Sequence, residues 1–109
     1  IEEGADGCKG RLILIFNAKY WYLDDPTSIT NLPDPIQCPG ARLKGQPFVC
    51  ENKLVLLNRV NGVVEIIDIT DPKAPVFERR IETHTHPEFA AKVDGRINIA
   101  CGHDGLIVI

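Results

Sequence analysis

Apolar residues occur along this chain in short runs rich in Val, Ile and Leu, as in RLILIF, NKLVLLN, NGVVEIIDI, GRINIAC and DGLIVI. Gly, Pro, Asn and Asp stand between the runs. β-branched runs bounded by such breakers are the pattern of strands joined by turns, and nine Gly with eight Pro supply the breaks. No stretch sustains the helical period. The pattern predicts strands near 11–16, 19–23, 54–58, 63–69, 76–82, 89–93, 97–100 and 106–109.

The runs also recur. The segments beginning at Gly10, Asn52 and Gly95 stand 42 and 43 residues apart, and Asn61-Gly62 and Asp104-Gly105 are again 43 apart. Asn-Gly and Asp-Gly favour the type I′ hairpin turn, whose two central residues take positive φ. The pairs LVLLN–VVEIIDI and INIAC–LIVI therefore read as equivalent hairpins. RLILIF–YWYLDD fills the same place in the first unit, with Ala18-Lys19 at its turn. Beyond each hairpin, Asp71-Pro72 with Pro75, and Asp25-Pro26 with Asp34-Pro35, end the strand. Val76 onward reads as the first strand of the next unit.

A period of this length holding about four strands is the signature of β-propeller blades. The expectation is an all-β chain of antiparallel, propeller-type sheets. It holds about two complete four-stranded units plus a partial one, divided near 1–35, 36–75 and 76–109. An ordinary sandwich accounts for the strands and turns but not for the constant spacing. A ring needs at least four blades, and an open fan leaves bare edges and faces. The chain is therefore expected to be part of a longer propeller or a subunit that self-assembles.

The string Ile66-Ile67-Asp68-Ile69-Thr70-Asp71-Pro72, with Pro75, resembles the LVIVD-repeat family, and Leu106 to Ile109 matches the start of a further copy. The resemblance covers about residues 48–109. The first unit departs from it: Tyr20, Trp21, Leu23 and Asp24 look more like a hemopexin-type blade. Both resemblances imply β-propellers that are secreted or surface-attached and act by binding.

Composition narrows the partners. A net charge of −3 carries no clustered cationic footprint for nucleic acid, and no apolar run approaches the ~20 residues of a membrane helix. The opening IEEGADG is acidic and polar, unlike a signal peptide. Cys8, Cys38, Cys50 and Cys101 make an even count without any CxxC spacing. Two disulfides in an oxidising compartment are expected; the alternative is four thiols used as small apolar side chains.

Candidate chemistry is sparse. In a strand, Glu82, His84 and His86 would share a face, and His103 lies in the following hairpin, so a divalent-metal set is conceivable. Ser28 is the single serine and has no histidine or nucleophile elbow near it. Asp24-Asp25 and Glu2-Glu3 are adjacent pairs that point apart in a strand. Tyr20, Trp21 and Tyr22 form the one aromatic cluster, either a partner surface or packing between sheets. Arg79-Arg80 reads as a solvated pair.

The sequence thus points to a non-enzymatic module, secreted or at the cell surface. It would bind protein or carbohydrate, or copies of itself, with no resident cofactor. The other reading is a propeller enzyme fragment with a metal at His84, His86 and His103. A self-contained, disulfide-stabilised all-β domain is a third.

Overall fold

The computed structural model describes residues 2–3, 12–24, 26–83, 86–102 and 105–109, without the side chains of Glu2, Glu3, Pro26 and Ser28. It is all-β. The strands are β1 (Glu2–Glu3), β2 (Leu12–Phe16), β3 (Lys19–Leu23), β4 (Gln46–Cys50), β5 (Lys53–Asn58), β6 (Val63–Asp68), β7 (Val76–Glu82), β8 (Phe89–Val93), β9 (Arg96–Ala100) and β10 (Leu106–Val108). A 3-10 turn spans Pro26–Thr30. The strands form antiparallel sheets in chain order: sheet I is β1-β2-β3, sheet II is β4-β5-β6-β7 and sheet III is β8-β9-β10. Among the described residues one sheet is four-stranded and two are three-stranded, where about two complete units were expected.

The eight expected strands are present within a residue or so of their expected bounds. Two others escape the pattern. β4 carries Pro47, which cannot donate to a ladder and is tolerated because β4 is an edge strand. β1 is only two residues long. One connection differs from expectation: Val76–Glu82 pairs with β6 and closes sheet II rather than opening the next unit. Ile36 forms a single bridge to Tyr20, with its N–H on the Tyr20 carbonyl at 2.8 Å, on the open edge of sheet I.

The turns also differ in detail. Phe16 pairs with Lys19, so Asn17 and Ala18, both at positive φ (52° and 59°), make the β2–β3 turn. Asp94 and Gly95 (51° and 77°) do the same between β8 and β9. Asn61-Gly62 belongs instead to a four-residue loop, because Asn58 pairs with Val63. Only Gly62 there has positive φ (64°), and the Asn58 side chain accepts the Asn61 N–H at 3.2 Å. Asp104 of the last hairpin lies outside the described residues.

The three sheets stack face to face. Alternate residues of a strand point to opposite faces, so sheet II serves two cores. Leu54, Leu56, Ile67 and Ile69 meet Ile13 and Tyr20 of sheet I. Val55, Leu57, Val64 and Ile66 meet Ile97 and Ile99 of sheet III. Being covered on both faces explains why β5 and β6 are almost continuously apolar. Cys38, Cys50 and Cys101 are buried as thiols in these cores, where disulfides were expected. The Cys101 thiol donates to the Ile99 carbonyl at 3.7 Å. Cys8 lies outside the described residues.

The stack is fastened at named points. The Tyr20 hydroxyl donates to the Pro72 carbonyl at 2.6 Å, tying sheet I to the turn after β6. That turn is shaped by its two aspartates: Asp68 accepts the Thr70 N–H at 2.8 Å, and Asp71 accepts the Lys73 N–H at 3.1 Å. Lys92 of β8 pairs with Glu51 of the β4–β5 turn, linking sheets III and II.

Candidate functional site

The outward face of sheet III is the feature that the rest of the fold sets apart. Within each hairpin the cross-strand pairs define equivalent positions. Ile15 faces Tyr20 in sheet I, Leu57 faces Val64 in sheet II, and Ala100 faces Leu106 in sheet III. One step along, Ile13–Tyr22, Val55–Ile66 and Asn98–Val108 correspond in the same way. In the first two sheets these positions are covered by the next sheet, and Tyr20 and Val64 are fully buried. In sheet III nothing among the described residues covers them: Leu106 is 60% exposed and Val108 44%.

β8 extends this face. Phe89 pairs with Ala100 and Val93 with Arg96, so both lie on the outward side, 61% and 51% exposed. The inward side carries Ala90, Ile97, Ile99 and Ile107, packed on sheet II. Covering an exposed Leu or Phe is worth roughly 1.5–3 kcal/mol. Here such residues form a contiguous face at positions that the same chain buries elsewhere; exposed apolar patches of this kind mark interaction sites in folded proteins. Asn98 sits in its middle with its amide turned onto backbone, donating to the Arg96 carbonyl at 3.0 Å.

The opposite end of the stack is closed. Leu14, Trp21 and Leu23 point away from sheet II and are buried beneath Leu32. The Trp21 indole N–H donates to the Pro33 carbonyl at 2.8 Å. The segment after β3 therefore folds back over sheet I. Of the aromatic cluster, Tyr20 and Trp21 are taken up by packing, and Tyr22 is half-buried against the first core. Burial, then the neighbouring Tyr22, Cys38 and Asp71, pushes the Tyr20 hydroxyl far above its ordinary range, so it stays a proton donor to Pro72.

The expected metal set falls mostly outside the described residues, where His84 and His103 lie. His86 is exposed, with Nδ1 against the Arg59 carbonyl. Among the described residues no three His, Cys, Asp or Glu side chains come together. A cleft of about 540 Å³ lies between the β2–β3 turn and Leu43, Lys44 and Gly45. It is lined by Ile15, Phe16, Asn17, Ala18 and those three, and Lys44 is the one ionisable side chain among them.

One buried charge was not anticipated. Glu65 stands among the apolar residues of β6, 2% exposed. Its carboxylate accepts the backbone N–H groups of Arg42 (3.0 and 3.1 Å) and Leu43 (2.9 Å), and the Arg80 guanidinium at 2.7 Å. Arg80 also donates to the Gly40 carbonyl at 2.8 Å and lies over the Phe77 ring, 5.0 Å from its centre. Arg80 is thus engaged with the fold rather than solvated. The signal in the sequence is an acid flanked on both sides by apolar pairs, VVEII, which in a strand buried on both faces requires partners.

Among the described residues no helix is long and apolar enough to cross a membrane. No family model, curated protein or solved structure matches the chain significantly.

Proposed function

We infer that this chain is a stretch of β-propeller-type scaffold that works by binding and assembly rather than by catalysis. The observation that carries the reading is the uncovered face of sheet III at positions whose equivalents in sheets I and II are covered by the next sheet. The constant 42- to 43-residue spacing and the four-stranded meander of sheet II support the propeller-type arrangement. The likeness of Ile66–Pro72 to LVIVD repeats supports a secreted or surface placement with protein or carbohydrate partners. The thiol state of the described cysteines adds nothing to that placement.

In this reading the stacked sheets are a rigid frame, and the uncovered sheet face is the working surface. The experiment appends a further copy of residues 46–88 after Ile109 in the full chain. A sheet that docks as sheets II and III do should raise Tm by about 5 °C or more, since 1 kcal/mol moves a domain of this size by roughly 4–8 °C. It should also abolish binding of an apolar fluorescent dye. An extension that stays unfolded by hydrogen exchange, with Tm and dye binding unchanged, overturns the reading.

A further inference from the structure

We propose that the cleft between the β2–β3 turn and the loop before β4 binds a small monocarboxylate with an apolar body. This site goes beyond the scaffold reading and lies apart from the outward face of sheet III. Shape, charge and backbone strain each point to it.

The cleft is roomy and its walls are fixed. Its volume is about 540 Å³, and small-molecule sites run from roughly 300 to 1,000 Å³. One wall is the two-residue turn closed by the Phe16–Lys19 pair. The other is Leu43, Lys44 and Gly45. Leu43 donates its N–H to the buried Glu65 carboxylate at 2.9 Å. Gly45 lies so close to the Leu57 backbone that a Cβ has no room. Both walls are therefore set before a ligand arrives, which lowers the ordering cost of binding. A second cavity of about 210 Å³ adjoins the first, and Ala18 and Leu43 line both.

Charge selects the ligand. The chain carries −3 overall, yet no acid lines either cavity. Lys44 is the one charged side chain lining the larger cavity, and Lys19 the one lining the smaller. Ile15, Phe16, Ala18 and Leu43 give the larger cavity its apolar lining, and Phe16 is left 57% exposed for a ligand to cover. An apolar body covers these side chains, and one negative charge answers the Lys44 ammonium. Asn17 adds an amide donor to the same lining. A phosphate dianion would find a single counter-charge in the larger cavity.

The backbone is strained at the same place. Among the described residues five non-glycine residues hold positive φ, and three of them line this cleft: Asn17 (52°), Ala18 (59°) and Leu43 (57°). The matching hairpins of sheets II and III carry Gly62 and Gly105 at positive φ. Strained residues of this kind cluster at ligand clamps. Glycine in place of Ala18 would relax the turn and remove apolar surface that both cavities share.

The test is titration of the ¹⁵N-labelled full chain with 2-naphthoate, followed by amide NMR. Shifts should saturate with a Kd of about 1 mM or below and centre on residues 15–18 and 43–45. Lys44→Gln should weaken binding roughly fivefold or more, with an unchanged Tm. 2-Naphthamide, the same body without the charge, should bind the native chain more weakly by a similar factor. Lys44→Gln should then bind acid and amide alike, because the two changes remove one interaction. Lys73→Gln, in the turn after β6, should bind naphthoate as the native chain does. Shifts that do not saturate, shifts centred elsewhere such as on Phe89 and Leu106, or unchanged affinity in Lys44→Gln overturn the proposal. An appended unit that stays unfolded would overturn the scaffold reading alone and leave this site standing.

Discussion

Glu65 holds a carboxylate inside the stack because each direction in which it can accept is met. Two successive backbone N–H groups come from Arg42 and Leu43, with Leu43 at positive φ (57°), a local nest for an anion. The Arg80 fork supplies the rest. The effect is mechanical: the loop before β4 is clamped to β6 and β7 through one side chain. Glu65→Gln would turn an amide NH₂ toward backbone donors and leave Arg80 without its counter-charge. Breaking such a pair from one side costs about 3 kcal/mol. Urea denaturation should show that loss, and an unchanged midpoint would mean the clamp carries no load. At this scale the sequence is only partly legible. An acid between apolar pairs in a strand announces that it needs partners, but two of those partners are backbone groups of residues 42 and 43, which any side chains would leave in place. Trp21 and Tyr20 are legible as large apolar surface. Which carbonyl each would reach depends on how the segment after β3 folds back, and no spacing in the chain reports that.

The elements follow the apolar runs closely because sheets I and II are buried on both faces and sheet III on one. What the apolar runs leave open is which strand joins which sheet. Val76–Glu82 follows Asp71-Pro72 and Pro75, a strong break, and reads as a new start. The chain instead turns through Asp68, Thr70 and Asp71 and returns to β6. Gly45 shows a similar constraint at the entry to β4: at φ 117°, a Cβ there would come within 2.5 Å of the Leu57 backbone. The turn after β6 has a pH signature. The Thr70 hydroxyl first, then the Thr70 N–H and Lys53, hold the Asp68 carboxyl below its ordinary value. A carboxyl depressed in the folded state adds stability above the unfolded-state carboxyl range near pH 4, and that contribution is lost as pH falls through the folded value. Stability measured by denaturant midpoint should fall below about pH 4, and Asp68→Asn should flatten that acid limb. An identical limb in the variant would remove Asp68 as its source.

At the scale of the whole molecule, three stacked sheets use one scheme twice and leave its third use open. The repeat spacing made the stacking legible from the sequence. The asymmetry of the two ends was not, because it depends on the segment after β3, whose Leu32 and Pro33 carry no periodic signal yet seal Trp21 from outside. The central claim is that Val64 and Leu106 are the same position in two copies of one scheme, covered in sheet II and open in sheet III. The most direct test places the same charge at both and compares thermal unfolding in dilute solution. Val64→Glu buries an unpartnered carboxylate between sheets II and III and should cost about 3 kcal/mol or more, lowering Tm by over 10 °C. Leu106→Glu meets water and should leave Tm within a few degrees of the native chain. Equal losses at the two positions, or a Leu106→Glu chain that unfolds, would contradict the account.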